Sequence, residues 1–212
     1  MDNKPNTSPN REMNTPLTPD EALTRLLEGN QRFIKGIDLP DNFGSQEDAL
    51  KTSQNPYACI LGCADSRVSP EHCFDESNGN LFITRVAGNF VSMEILASLE
   101  YGCSVLGTPL ILVLGHSQCG AISAAVKSHQ HGEEYPGHIN ILTTALAPAV
   151  AAAASEQPAD LKDLAMRKNV LSNVHRLRES RPILRGLIES GRLRIEGGIY
   201  HLDTGTVEIL ND

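Results

Sequence analysis

The run Pro109-Leu110-Ile111-Leu112-Val113-Leu114-Gly115 constrains this chain more than any other segment. It is apolar at every position between its end residues, and it is too short and too sharply bounded for a buried helix. A strand with one wet face alternates apolar and polar residues. A strand apolar throughout is covered on both faces, as the central strands of parallel sheets are. Tyr57–Gly62 and Leu81–Arg85 read as further short strands. Arg194–Leu202 and Thr206–Leu210 flank Asp203-Thr204-Gly205 as strand, turn, strand.

Helical patterns lie between these runs. Thr18-Pro19-Asp20-Glu21 carries a cap residue, a proline in the first turn and a glutamate three residues after the cap. Leu23, Leu26, Leu27, Phe33 and Ile34 follow at helical spacing, and Gly36 marks a stop. Ser92 predicts the cap of a helix carrying Leu96, Leu99 and Leu106, with Gly107 ending it. Gly120–Val126 reads as a helix start, 128–138 as a loop, and 139–153 as a helix that Pro148 kinks or divides. Leu161, Leu164, Leu171, Val174 and Leu177 mark a longer amphipathic helix.

Strands alternating with helices predict an α/β fold: a mostly parallel sheet flanked by helices, with an N-terminal helical arm. Residues 1–17, rich in Asn, Pro, Thr and Ser, read as a tail, and 38–55 as polar loop. Residues 18–212 read as one domain, and the 212-residue length suffices for a full core.

The net charge of −8 argues against a nucleic-acid partner, because phosphate backbones call for clustered Lys and Arg. Arg176, Arg178, Arg181 and Arg185 alternate with apolar residues and read as a solvated helix face. No run of apolar residues is long enough to span a membrane, and no basic-then-apolar leader opens the sequence. Five cysteines without the density of a disulfide framework suggest a reducing, cytoplasmic setting.

The chemistry concentrates after two strands. Cys63-Ala64-Asp65-Ser66-Arg67 follows the first, and His116-Ser117-Gln118-Cys119 follows the central one. Ligands of such sheets sit outside the carboxyl ends of the strands. Cys63, His116 and Cys119 offer two thiolates and an imidazole, a good donor set for Zn²⁺, and three protein ligands leave a fourth position for water. Cys59 cannot close the site. Four residues of strand at about 3.3 Å each put it roughly 13 Å from Cys63. Spacing does not exclude Cys73 or Cys103, which read as small buried side chains. Asp65 and Arg67 point the same way along an extended segment and can pair, holding the carboxylate ionised. That carboxylate can orient a water on the metal or swing onto the metal as a fourth ligand. His129, His131 and His138 read as solvated loop residues.

Three segments, Cys63–Arg67, Arg85-Val86-Ala87-Gly88-Asn89 and Gly115–Gly120, resemble the signature segments of the β-class carbonic anhydrases. The similarity runs from about residue 18 to 210. It implies zinc on Cys63, His116 and Cys119, an Asp65–Arg67 dyad, and reversible hydration of carbon dioxide to bicarbonate. It also implies a homodimer or larger homo-oligomer, with the N-terminal helix reaching over the partner. Gln54 matches a substrate-binding glutamine of plant-like members. Gly120 opens a helix, so its N–H lies at the positive end of the dipole and can hold an anionic oxygen. Allosteric members build a second bicarbonate site from Trp, Arg and Tyr. Arg85 and Tyr200 match that set, but Ile60 stands where the Trp would be. A carbon disulfide or carbonyl sulfide hydrolase on the same fold is the nearest rival, and a non-catalytic zinc or redox module is a more distant one.

Overall fold

The computed structural model describes residues 17–37 and 50–211. In chain order its elements are α1 (Pro19–Lys35), β1 (Ala58–Gly62), α2 (Pro70–Cys73), β2 (Leu81–Arg85), α3 (Met93–Ser104) and β3 (Leu110–His116). They continue with α4 (Gly120–His131), α5 (Ile139–Ser155), α6 (Leu161–Arg178), α7 (Ile183–Glu189), β4 (Arg194–Tyr200) and β5 (Val207–Leu210).

The five strands form one sheet in the order β2-β1-β3-β4-β5. The β1–β2, β1–β3 and β3–β4 pairs are parallel, and β5 closes the far edge antiparallel to β4. This is the mostly parallel α/β arrangement that the doubly apolar β3 demanded. Every residue of β3 is buried. Side chains of β1 and β3 alternate between two cores. Ala58, Ile60, Leu110, Leu112 and Leu114 face the layer containing α1 and α2. Cys59, Leu61, Ile111 and Val113 face the layer built by α3 to α7.

Two glycines let α6 lie close on that second face. A Cβ on Gly115 would come within 2.7 Å of Val170 Cγ2, and one on Gly197 within 2.7 Å of Val170 Cγ1. The branched Val170 cannot retreat from either, so the helix seats only over bare backbone.

Helix α1 starts as the sequence predicts. Thr18 Oγ1 accepts from Glu21 N at 3.3 Å, while Thr18 N donates back to Glu21 Oε2 at 2.8 Å. Gly36 ends the helix with φ of 62°. The helix is docked on its own sheet. Buried Asn30 donates to the carbonyls of Cys73 and Gly205, both at 2.8 Å, and accepts from Val207 N at 2.9 Å. Arg25 adds a two-pronged pair with Glu76.

Several boundaries differ from the sequence reading. Helix α3 stops at Ser104, short of Leu106, because Tyr101 O accepts from both Val105 N and Leu106 N as the chain turns out. Gly107, at φ of 74°, lies beyond the helix in that turn. The expected 128–138 loop begins later. Helix α4 continues through His131 until Gly132 takes a left-handed cap at φ of 66°. Pro148 neither divides nor ends α5, which runs through it to Ser155. The short α2 and the helix α7 had no counterpart in the sequence reading. The tail at 1–17 lies outside the described residues except for Leu17, as does 38–49 of the polar loop.

Candidate metal centre

Strands β1 and β3 are parallel neighbours, with Gly62 opposite Leu114. Their carboxyl ends therefore open on the same edge of the sheet. Cys63 leaves the end of β1, His116 is the last residue of β3, and Cys119 is the cap residue of α4. Their ligand atoms all lie within 4.8 Å of one another, and all three residues are buried. The two sulfurs are 4.0 Å apart. No disulfide involves either, since all five cysteines are free. Cys59, Cys73 and Cys103 lie outside the cluster, so no other thiol joins the two sulfurs and the imidazole.

The imidazole is aimed. His116 Nδ1 is 3.0 Å from Ser117 O, a carbonyl that can only accept, so Nδ1 carries the proton. Nε2 is left with its lone pair, buried and without a hydrogen-bond partner among the described residues. An orphaned buried nitrogen beside two sulfurs fits a metal ion, which these three residues could hold.

The thiols are poised unequally. Cys63 is lowered, first because the Cys119 thiol donates to it, and further because of the Gly88 N–H, against the opposing effect of burial. That N–H lies 3.3 Å from Cys63 Sγ. The same sulfur–sulfur bond pushes Cys119 upward. The pair thus shares one proton, which an incoming cation would displace.

Asp65 and Arg67 meet as the sequence predicted. Arg67 Nε donates to Asp65 Oδ1 at 2.9 Å and Nη2 to Oδ2 at 2.7 Å. The Arg67 hydrogen bonds hold the Asp65 carboxyl well below the usual carboxylate range. Asp65 Oδ2 also lies 3.9 Å from His116 Nε2, which places the carboxylate at the rim of the cluster.

Gly120 is exposed at the first position of α4, and a Cβ there would meet nothing within 4 Å. Its N–H has no helical carbonyl to bind. Gln54 is not brought to the cluster. It is exposed on the stretch entering β1, at the opposite end of that strand from Cys63. His129, His131 and His138 are exposed.

Arg85, matched in the sequence only to a second bicarbonate set, and Gly88, a motif residue with no role read from the sequence, both act on the Cys63 loop. Arg85 turns out to clamp the Cys63–Val68 loop. Its Nε donates to Cys63 O at 2.8 Å, and Nη2 donates to Asp65 O at 2.7 Å and Val68 O at 2.8 Å. Tyr200 is raised by burial first and then by the neighbouring Cys73, and Ile60 is fully buried in β1.

The family model for carbonic anhydrase matches residues 58–207, which include the whole cluster. The chain belongs to the β-class carbonic anhydrases. Carbonic anhydrase 2 of Mycobacterium tuberculosis is 35% identical over 188 residues, covering 88% of this chain and 90% of that protein. A carbonic anhydrase of Mycolicibacterium smegmatis is 34% identical, over 90% of this chain and 93% of its own. Among solved structures, the β-carbonic anhydrase CcaA superposes with a TM-score of 0.69 at 28% identity, over 89% of this chain and 95% of that one. The Coccomyxa β-carbonic anhydrase gives 0.69 at 29% identity, over 89% and 86%.

Proposed function

We propose that this β-carbonic anhydrase is a zinc-dependent lyase that interconverts carbon dioxide and water with bicarbonate and a proton, and that residues 18–212 form its one catalytic domain. The observation that carries the proposal is the convergence of Cys63 Sγ, His116 Nε2 and Cys119 Sγ beside an ionised Asp65. Two sulfurs on one zinc at about 2.3 Å in tetrahedral geometry sit roughly 3.8 Å apart. The observed 4.0 Å suits that arrangement. When bound, zinc lowers the pKa of a coordinated water toward 7 and so supplies a nucleophile at neutral pH.

The protein's own groups do the rest. Asp65 is locked by Arg67 and stays ionised, so it offers a fixed acceptor for the hydrogen of the attacking oxygen and turns its lone pair toward carbon dioxide. Val86 and Phe90 are half-buried against the core and supply an apolar wall. The Gly120 N–H, at the positive end of α4, stabilises a bicarbonate oxygen. The product proton leaves to buffer.

Gln54 supports an assembly. The five residues of β1 at about 3.3 Å each separate its ends by roughly 16 Å. Gln54 therefore serves the substrate site of a second copy rather than its own, which calls for a homodimer or larger homo-oligomer. Among the described residues no helix is long and apolar enough to cross a membrane. Five free thiols suit the cytoplasm.

The test is stopped-flow hydration of carbon dioxide with a pH indicator, run beside carbon disulfide and carbonyl sulfide. Rapid hydration, abolished by chelation and restored by zinc, is expected, with little turnover of the sulfur gases. Preference for either sulfur substrate would move the assignment to a hydrolase, and inactivity of the zinc-loaded protein on all three would refute it.

A further inference from the structure

Helix α6 carries two amides on its buried face. Asn169 is 3% exposed and Asn173 is 7% exposed, among Ala165, Met166, Val170 and Val174. A primary amide in such surroundings is costly unless its donors and acceptors are bonded. These two are bonded, and their partners lie in one loop. Asn169 Nδ2 donates to Gly88 O at 2.9 Å. Asn173 Nδ2 donates to Asn169 Oδ1 at 3.1 Å and to Asn169 O at 2.8 Å. Asn173 Oδ1 accepts from Val91 N at 2.7 Å, and Arg176 Nη1 donates to Val91 O at 2.7 Å.

The other side of the same loop faces the thiolate. Gly88 N–H points at Cys63 Sγ from 3.3 Å, while Val86 N donates to Gly62 O and Val86 O accepts from Ala64 N. Gly88 has φ of 85°, and a Cβ on it would fall 2.8 Å from Leu146 Cδ1. Glycine alone fits there, yet glycine is also the residue whose flanking peptides turn most freely. The orientation of its N–H must therefore be imposed from outside, and Asn169 grips the carbonyl of that same residue.

We propose that Asn169, braced by Asn173, is a positioning residue for the Cys63 thiolate: from α6 it fixes the Gly88 backbone so that the Gly88 N–H is held on Cys63 Sγ. The inference rests on Cys63 as a metal ligand. An N–H on a ligating sulfur draws charge from it, stabilises its lone pairs and leaves the bound metal a stronger Lewis acid.

Cobalt-substituted protein tests this without recourse to turnover. The wild type should show a thiolate-to-cobalt charge-transfer band that changes in Cys63→Ala. Asn169→Leu, which keeps the branched shape but removes the amide, should move the band to longer wavelength and weaken metal affinity about 10-fold or more. Val174→Ala, a cavity in the same helix beneath Gly197, should lower Tm with neither effect. If Asn169→Leu does not fold, Asn169→Ala is read in the same way. A band and affinity matching Val174→Ala would overturn the positioning role while leaving Cys63 a ligand. A wild-type spectrum indifferent to Cys63→Ala would overturn both.

Discussion

Arg67 holds Asp65 by both carboxylate oxygens, Nε on Oδ1 at 2.9 Å and Nη2 on Oδ2 at 2.7 Å, while Oδ2 stays 3.9 Å from the unpartnered His116 Nε2. The carboxylate is therefore turned to its arginine at the edge of the cluster. Asp65→Asn keeps the shape and removes the anionic acceptor. Carbon dioxide hydration should fall by about 100-fold or more with zinc content unchanged. Stopped-flow turnover beside elemental analysis checks it, and undiminished turnover would remove Asp65 from the mechanism.

The same pair gives stability a definite pH sign. Folded Asp65 titrates below its ordinary 3.8, chiefly through the Arg67 hydrogen bonds. The contribution is fully present above about pH 4 and is lost as pH falls through the lowered folded value. Arg67→Ala should lower Tm near neutrality and leave it little changed at low pH, so that the acid limb of a Tm-versus-pH curve flattens. An unchanged acid limb would count against the shift.

Metal uptake should release close to one proton per ion at about pH 6, below the range in which the coordinated water ionises, because the Cys63 thiol is lowered while Cys119 is pushed up by its neighbour. Affinity should therefore rise with pH as the Cys119 proton becomes easier to displace. Calorimetry at that pH in buffers of different ionisation enthalpy counts the protons, and a count of two would mean both thiols start protonated.

Two glycine substitutions should have opposite signs. Gly115→Ala pushes a methyl against Val170 Cγ2 at 2.7 Å and Ile199 Cδ1 at 3.0 Å, and overpacking of this kind costs about 1–3 kcal/mol. Gly186→Ala, in α7 with nothing within 4 Å, should add about 0.5–1 kcal/mol from helix propensity. Urea unfolding separates them, and equal effects would contradict the close seating of α6.

Asn30 is the buried clamp of α1, with three backbone partners in two segments. Asn30→Ala should cost roughly 2 kcal/mol or more by leaving those groups unsatisfied. A loss of only a few tenths in chemical denaturation would show α1 to be held by its apolar face instead.

What was legible in the sequence was what local chemistry encodes. The capping box at Thr18, the doubly apolar β3 and the strand Leu81–Arg85 each carry their signal within a few residues. Cys63, His116 and Cys119 converge because parallel neighbouring strands end on one edge, a rule that needs no coordinates. Helix α7 was not legible. It is seven residues long, has no side-chain cap at its start and contains Gly186, an adverse signal. The grip of Asn169 on Gly88 was hidden for another reason. Its partner lies 81 residues away, and an asparagine at helical spacing among apolar residues gives no sign of what it binds.

The central claim is an inner sphere of two sulfurs and one nitrogen with one place left over. X-ray absorption at the zinc edge, on protein at neutral pH, measures it directly. The account predicts two sulfur neighbours near 2.3 Å, one imidazole nitrogen and one further light atom at about 2.0–2.1 Å, with one sulfur lost in Cys119→Ala. A sphere closed by a third sulfur, or a spectrum untouched by that substitution, would contradict it.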